Sequence, residues 1–291
     1  MIVYKTRSYV DTETGEQQNG ILTTEETLLK DQKRREAYKA RQARTREYRR
    51  DTNPFTFYFM STIRELLNVL QGDPRMKNTY LGYLLVLNTH LKMNTNVLYE
   101  FDNVKKPLNR GGIARVLKIG NGGTSKKFID FMIEKGVLLE VKTDNGKGFA
   151  INEQYSLRGS TDTPEKLRVY HKAIRQMYED IEPEDFSFIY SLIPYVEYDH
   201  NMLAHNPYET DISKLDTLDV DDIAEITGLS SRAVYYKLNR LKLHGHPIFI
   251  TVKSGGGYYF IIDPDVLARK YFAKDDKIRN LFKPKAISPK G

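Results

Sequence analysis

The chain has 291 residues, of which 40% are hydrophobic and 29% are charged, and it contains no cysteine. This length predicts roughly two or three modules, and the lack of cysteine excludes disulfides, thiol nucleophiles and cysteine-ligated zinc. No apolar run approaches the ~20 residues of a membrane span, and the N-terminus lacks the order of a signal peptide, so we expect a cytoplasmic protein without a membrane partner.

The net charge of +7 comes from one segment near the N-terminus. Residues 30–50 contain ten Lys or Arg side chains and three acids, so the remainder of the chain is neutral overall. The preceding "TTEE" predicts the start of a long polar helix within an N-terminal region, 1–53. A solvated linker helix is one interpretation, but so concentrated a block favours a nucleic-acid arm. We expect its arginines to contact phosphate: Arg34, Arg35, Arg41, Arg44, Arg46, Arg49 and Arg50.

Residues 54–160 are typical of a compact module. "FTFYFMSTIRELLNVL" has apolar residues at helical spacing, and "MKNTYLGYLLVLNTHL", "GGIARVLKIG" and "TSKKFIDFMIEKG" predict three further helices. Gly136 is expected to close the last of them in a left-handed conformation. "VLLEVKTDNGKGFAINEQYSL" then predicts a strand, an Asn-Gly turn and a second strand.

The second half of the chain repeats this order. "TPEKLRVYHKAIRQMYEDIEPED" predicts one connecting helix over residues 161–184, capped by Thr163. A second module, 185–268, carries a helix pair whose second helix is capped by Ser230 or Ser231. The strands of "PIFITVKSGGGYYFIIDP" follow, and a basic tail, 269–291, ends the chain.

An internal repeat unites the two modules. "IARVLKIGNGGTSKKFIDFMIEKG" and "IAEITGLSSRAVYYKLNRLKLHG" both start with Ile-Ala, turn through Gly, and end in Gly before a hairpin. Helix, turn, helix and hairpin is the order of a winged helix-turn-helix. We therefore predict a mainly α fold with small β-hairpins, formed by tandem winged helix-turn-helix modules joined by a helix.

The second helix of each pair is the predicted DNA-reading element. Its inward residues in the second copy are Val234, Leu238 and Leu241, which turns Arg232, Tyr235, Tyr236 and Asn239 outward. We expect these four residues and Ser231 to contact DNA. Arg can bind guanine, Asn can bind adenine, and Tyr hydroxyls can contact phosphate. In the first copy the outward set is Ser125, Lys126, Lys127 and Asp130, against inward Phe128, Ile129, Met132 and Ile133. That set suits phosphate contact, as do the predicted hairpin tips, which carry Lys142, Asn145, Lys147, Lys253 and Gly256.

The first module resembles a known family. "YVDTETGE", "FYFMSTIRELLNVLQGDPRMKNTYLGYLLVLNTHL", "FMIEKGVLLE" and "FAINEQYSLRG" together are similar to the RepL-type replication initiators of Gram-positive plasmids and phages, over residues 8–160. The resemblance implies origin binding through the winged helix, without catalysis, and Lys126 and Lys127 occupy the matching recognition helix. The basic helix and the second module are departures from the family.

No catalytic constellation stands out, so we expect neither an enzyme nor a cofactor. "HGH" at 244–246 and the pair His200 and His205 are better explained as polar loop residues than as metal ligands. The glycine-rich "IGNGG" and "SGGGYY" lack the Lys-Ser/Thr of a phosphate loop.

We predict a sequence-specific double-stranded DNA-binding protein of phage or plasmid origin, acting as a replication initiator or a transcription regulator. Two unequal modules predict two unequal half-sites, with centres about 34 Å apart. A homodimer reading the site, and a winged-helix adaptor that binds host polymerase or replication proteins, are the alternatives.

Overall fold

The fold is described from a computed structural model. The described residues are 7–10, 17–20, 32–33, 36, 53–100, 103–254, 257–272 and 276–283. Residues 1–52 and 53–291 form two separate compact units. In the first unit, β1 (Arg7–Val10) and β2 (Gln17–Gly20) pair in an antiparallel hairpin. The predicted basic helix, 30–50, lies outside the described residues apart from positions 32, 33 and 36, and all seven of its predicted DNA-contacting arginines are among the residues not described.

The second unit alternates helices and short strands. Its helices are α1 (Met60–Gln71), α2 (Tyr80–Asn88), α3 (Arg110–Val116), α4 (Gly123–Glu134), α5 (His171–Met177), α6 (Pro183–Leu192), α7 (Val220–Thr227), α8 (Ser231–Arg240) and α9 (Lys277–Leu281). Its strands are β3 (Phe55–Phe59), β4 (Tyr99–Glu100), β5 (Asn103–Pro107), β6 (Leu138–Thr143), β7 (Gly146–Ile151), β8 (Ser156–Leu157), β9 (Lys166–Tyr170), β10 (Lys242–Leu243), β11 (His246–Pro247), β12 (Phe249–Ser254), β13 (Gly257–Ile262) and β14 (Leu267–Ala268). The hairpin β6–β7 follows the helix pair α3–α4, and β12–β13 follows α7–α8.

The predicted fold class is wrong. The chain is 40% helix and 23% strand, and one of its several antiparallel sheets has four strands, so it is a mixed fold and not a mainly helical tandem of winged-helix modules. The order β14-β9-β3-β8 draws that sheet from both halves of the sequence, which therefore share one body.

Two segments predicted as helix are strands in this sheet. The predicted connecting helix, 161–184, instead contains β9 followed by α5, and Thr163 lies before β9. The start of the predicted helix at 55–70 is β3. Both strands have neighbours on each side, and their side chains Phe57, Leu167 and Val169 are buried. Long-range pairing has overridden the helical spacing of the apolar residues.

The pairing of β3 with β9 is symmetrical between the two halves. The register places Phe57 opposite Arg168, Phe55 opposite Tyr170, and Phe59 opposite Lys166. Each residue of β3 has an equivalent in β9 that lies 111 positions later in the chain, as Arg168 does for Phe57. When every residue is exchanged for its equivalent, the same set of pairs results. An antiparallel pair between two equivalent strands has a local two-fold axis at its centre, here between Phe57 and Arg168.

Other contacts follow the same axis. The amide of Met60 donates to the carbonyl of Glu165 at 3.0 Å, and the equivalent amide of His171 donates to the carbonyl of Pro54 at 2.8 Å. The outer strands also correspond, because β8 pairs with β3 and β14 pairs with β9 in equivalent registers. The repeat found in the helix pairs thus extends to the four-stranded sheet.

A buried asparagine supports each half in the same way. Asn96 and Asn201 both adopt the left-handed backbone conformation, with φ of 48° and 59°. Each side-chain amide donates to two carbonyls, Asn96 to those of Ile151 and Ser156, and Asn201 to those of Ile262 and Leu267. Asn tolerates this conformation better than other non-glycine residues, which explains its use at both positions.

The helices α2 and α6 cross at the centre of the unit. Every residue of α2 is buried. At the crossing, the amide of Gly82 donates to Ser187 Oγ at 2.7 Å, and a Cβ at position 82 would lie 1.9 Å from the carbonyl oxygen of Pro183. Any larger residue would force the two helices apart, so the sequence requires glycine there.

One equivalent pair of residues differs in its ability to carry charge. Asn152 and Asp263 occupy matching turns, where the side-chain oxygen accepts the amide of Gln154 at 3.1 Å and of Asp265 at 2.8 Å respectively. Burial is the main cause that raises the pKa of Asp263 from 3.8 to about 7, and repulsion from Asp265 adds to it. The second half therefore buries a carboxyl group where the first half has a neutral amide.

We expect Asp263→Asn to stabilise the protein in a pH-dependent way. Because the folded pKa is raised, the native state favours the protonated acid, and stability falls as the pH rises from 3.8 to 7. At pH 8 the substitution should raise the free energy of unfolding by about 2–4 kcal/mol, and at pH 4 by much less. Denaturant unfolding at both pH values measures this. The reverse change, Asn152→Asp, should destabilise more at pH 8 than at pH 4, and pH-independent effects would contradict the assignment.

Candidate nucleic-acid interface

The helix α8 is set by its caps and its inward residues. Gly228 ends α7 with a φ of 68°, and Ser230 caps α8 by accepting the amide of Ala233 at 3.3 Å. The prediction that Val234, Leu238 and Leu241 point inward is confirmed, since all three are buried. The hydroxyl of Ser231, predicted to contact DNA, donates to Asp221 at 2.6 Å and so ties the starts of α7 and α8 together.

The remaining predicted residues of α8 form one exposed face, which we call the α8 face: Arg232, Tyr235, Tyr236 and Asn239. Tyr235 is 64% exposed and Tyr236 is 61% exposed. Within the described part of the chain Arg232 has no ion pair. Asn239 uses one amide hydrogen on the carbonyl of Tyr235, at 2.7 Å, which leaves its oxygen open. The face therefore offers a cation, two aromatic rings and a bidentate amide to a partner.

A buried carboxylate holds the back of α8. Asp185, in the first turn of α6, is 1% exposed and contacts both Lys237 and Arg240 of α8, with 2.5 Å to Lys237 Nζ. Lys237 is itself largely buried, whereas Arg240 is half exposed and lies over the ring of Tyr236, 5.3 Å from its centroid. Two of the cations of α8 are thus committed to Asp185, which fixes the helix on α6.

The equivalent helix α4 is built differently. Phe128, Ile129 and Met132 are buried as predicted, and Ile133 is only partly buried. Lys126 and Lys127 are exposed and form no ion pair with any described residue.

The prediction that Ser125 points outward is wrong. The side chain is buried and folds back on the start of α4. Its Oγ accepts a hydrogen bond from the amide of Gly122 and donates one to the carbonyl of Gly122, each at 3.2 Å. Asp130, placed on the same outward face, is exposed and pairs with Arg110 at 2.6 Å. The outward set of α4 therefore contains two lysines without an ion pair among the residues described, and one acid that is paired with Arg110.

The hairpins place positive charge at their tips. Lys142 and Lys147 lie directly opposite each other across β6 and β7, and both are exposed, as is Asn145 in the turn between them. In the second hairpin, Lys253 is opposite Tyr258, with its Nζ 5.8 Å from the ring centroid. Gly256 lies outside the described residues. Two like charges directly opposite each other destabilise a hairpin, so the Lys142–Lys147 pair is unfavourable in the absence of a counterion.

A cleft of about 800 Å³ lies between the start of α3 and the hairpin β6–β7. Its lining includes Asn109, Arg110, Asn121, Glu140, Lys142 and Lys147. Arg110 is held there by Asp130 and, at 3.7 Å, by Glu140. The two lysines are the uncompensated cations of this cleft among the residues described.

Three of the histidines singled out in the sequence have different side-chain partners. His200 contacts Glu197 at 3.5 Å, His205 contacts Asp222 at 3.2 Å, and His244 of "HGH" contacts Gln176 at 2.8 Å. In the described ranges, no three His, Asp or Glu side chains are grouped as metal ligands would be. Likewise, none of the helices described is both long enough and apolar enough to cross a membrane.

Three residues of this surface were not predicted from the sequence. Asp185 belongs to an acidic helix start and was indistinguishable there from an exposed first-turn acid. Arg110 carries no local sign of its two acidic partners. Tyr258 is 56% exposed near the hairpin tip although it lies on the same strand face as the buried Phe260, so the alternation of a strand did not indicate it.

Comparison with known proteins assigns no family. No protein-family model matches the chain, and neither a curated protein nor a solved structure matches it. The resemblance to RepL-type initiators stays a prediction from sequence. Function has to be argued from the residues of the site, because fold alone does not imply function.

We expect Asp185→Ala to destabilise the protein strongly. The substitution leaves the largely buried Lys237 without its acid, which typically costs about 3–5 kcal/mol. The matched control is Asp130→Ala, which breaks the exposed pair with Arg110 and should cost at most about 1 kcal/mol. Denaturant unfolding of both variants gives the two values. Similar losses in the two variants would show that Asp185 does not anchor α8.

Proposed function

We propose that the chain binds double-stranded DNA in the cytoplasm, with α8 as the helix that enters the major groove. The observation that carries this proposal is the α8 face. The major groove admits an α-helix, and its base edges are bound by Arg on guanine and by Asn on adenine. Arg232 and Asn239 supply these two groups on one exposed helix face, beside tyrosine hydroxyls suited to phosphate.

The distribution of unpaired cations supports a polyanionic partner. Lys126, Lys127, Lys142 and Lys147 are exposed and form no ion pair within the described part of the chain, and the last two repel each other across the hairpin. Phosphates of a duplex would relieve this repulsion and release counterions, which is the main source of non-specific DNA affinity.

The biological role that we propose is replication initiation or transcription regulation in a phage or plasmid. The resemblance of residues 8–160 to RepL-type initiators supports origin binding. An initiator would bind repeated sites near its own gene, whereas a regulator would bind near promoters. Genome-wide footprinting of the tagged protein separates the two by the position of the sites.

An adaptor for host polymerase or replication proteins is a second candidate. Exposed tyrosines next to arginine are also typical of protein-interface hot spots, and the exposure of Tyr235 and Tyr236 favours this role as well. Affinity capture with and without nuclease distinguishes the candidates. Partners that remain after nuclease treatment, and that are lost in a Tyr235→Ala variant, would favour the adaptor.

We expect Arg232→Ala to weaken binding at a single base position. Loss of a bidentate contact to guanine costs about 1–3 kcal/mol against the cognate base and relaxes specificity there. The control is Lys172→Ala on α5. It also removes one exposed positive charge that has no ion pair among the described residues, but from a different helix. Binding titrations on a duplex series with each base varied measure both. An equal loss on every duplex would assign Arg232 to phosphate instead.

We expect deletion of residues 30–50 to weaken binding to all duplexes to a similar extent. Each lost phosphate contact should reduce the slope of log K against log salt by about 0.9. Titrations of the full chain and the deletion at several salt concentrations give the two slopes. An unchanged slope would show that this basic segment does not contact DNA.

A further inference from the structure

We infer that one chain reads one duplex with both halves, as an inverted pair of unequal half-sites at a fixed spacing. This inference rests on the proposed DNA binding and adds the orientation, spacing and stoichiometry of the target. It follows from the way in which the two-fold contact pattern extends from the central sheet to α4 and α8.

The two DNA-facing helices are anchored at one place in the unit. Phe128 of α4 packs on Tyr80 at the start of α2, with ring centroids 5.3 Å apart. Lys237 of α8 binds Asp185 at the start of α6. These two helix starts meet where the amide of Gly82 binds the hydroxyl of Ser187. The helices α4 and α8 are therefore held on the same end of the crossed pair α2–α6.

Each helix pair is also braced by the opposite half. The hydroxyl of Tyr178, after α5, donates to the carbonyl of Leu117, after α3, at 2.6 Å. Lys118 pairs with Glu179 at 2.8 Å in the same corner.

The reciprocal brace joins the first half to the second helix pair. The side chain of Gln71, at the end of α1, donates to the carbonyl of Ile226 in α7 at 2.8 Å. Because each helix pair is bonded to the opposite half in this way, the distance between the two helix pairs is fixed.

A two-fold relation between the helices dictates the symmetry of the target. B-DNA has its own dyads, so two helices related by a two-fold axis enter successive major grooves in opposite directions. Their centres are then about one turn, 10–10.5 base pairs, apart. Direct repeats would require the two helices to be related by translation, which the antiparallel pairing of β3 with β9 excludes.

The two half-sites should differ in how they are read. The α8 face offers Arg232 and Asn239 to base edges, whereas α4 offers Lys126 and Lys127. Lysine is a point charge suited to phosphate. One half-site should therefore show strong base preference, and the other should be defined mainly by backbone contacts.

The experiment begins with selection of bound duplexes from a random library by the full-length chain. Hydroxyl-radical footprinting of both strands of a selected duplex follows, for the wild type and two double variants. Lys126→Ala with Lys127→Ala removes the unpaired cations of α4, and Arg232→Ala with Asn239→Ala removes the base contacts of α8. All four side chains are exposed, so folding should be retained, and thermal unfolding checks this.

We expect two protected blocks arranged symmetrically about a dyad, with one chain per duplex by mass measurement. Each double variant should lose protection in a different block. Insertion of one base pair at the dyad should weaken binding about tenfold or more, since one half loses its phosphate contacts. Ten inserted base pairs should not restore affinity, because the unit cannot extend.

Several results would overturn the inference while leaving DNA binding intact. These are two chains per duplex, loss of both blocks in the α8 variant alone, protection in direct repeat, or tolerance of the inserted base pairs. Failure to enrich any duplex would instead contradict the proposed function itself.

Discussion

The antiparallel pairing of β3 with β9 is the contact on which the rest of the architecture depends. It joins strands that are equivalent in the internal repeat, and the four-stranded sheet therefore contains two strands from each half. The two-fold relation that results brings α2 and α6 into contact at Gly82, where only glycine fits. The helices α4 and α8 both contact this helix pair, α4 through Tyr80 and α8 through Asp185. A substitution that broke the strand pairing would separate α2 from α6 and so remove the shared support of α4 and α8.

The two halves share the central strand pairing and helix contact, but they differ in the residues that hold α4 and α8 and in those at the hairpin tips. One helix is held by aromatic packing on Tyr80 and the other by the buried carboxylate of Asp185. The hairpin tips oppose two lysines in one half, and a lysine and a tyrosine in the other. A buried ion pair adds little net stability over well-packed apolar residues, whereas removal of one partner is costly. We attribute to Asp185 the orientation of α8, whose outer face carries Arg232 and Asn239, the two residues that we propose contact bases.

Local features were predictable from the sequence where local physics decides them. The 3.6-residue period identified the inward residues Val234, Leu238 and Leu241. The predicted Asn145-Gly146 turn located the hairpin to within one residue, since the turn residues are Asp144 and Asn145 and Gly146 pairs with Thr143. Gly136, with a φ of 68°, closes α4 as predicted. These assignments need only the neighbours of each residue along the chain.

Features that depend on distant residues were not predictable. Apolar residues in "FTFYF" and "KLRVY" fit a helix as well as a buried strand, and only the partner strand decides between them. For the same reason two tandem modules and one interleaved body have the same local pattern. Ser125 was misplaced because a short polar side chain that caps its own helix is hard to distinguish from one that faces solvent. The importance of Asp185 depends on Lys237 and Arg240, about 50 residues away.

Site-specific photo-crosslinking tests the central claim most directly. A photoreactive amino acid would replace Tyr235 of α8, Lys127 of α4, or Ile212, which is 58% exposed in the acidic segment before α7. We expect positions 235 and 127 each to crosslink to a selected duplex, on opposite sides of its dyad, and position 212 not to crosslink. A duplex that crosslinks to neither 235 nor 127, or crosslinks to 212 instead, would contradict the central claim.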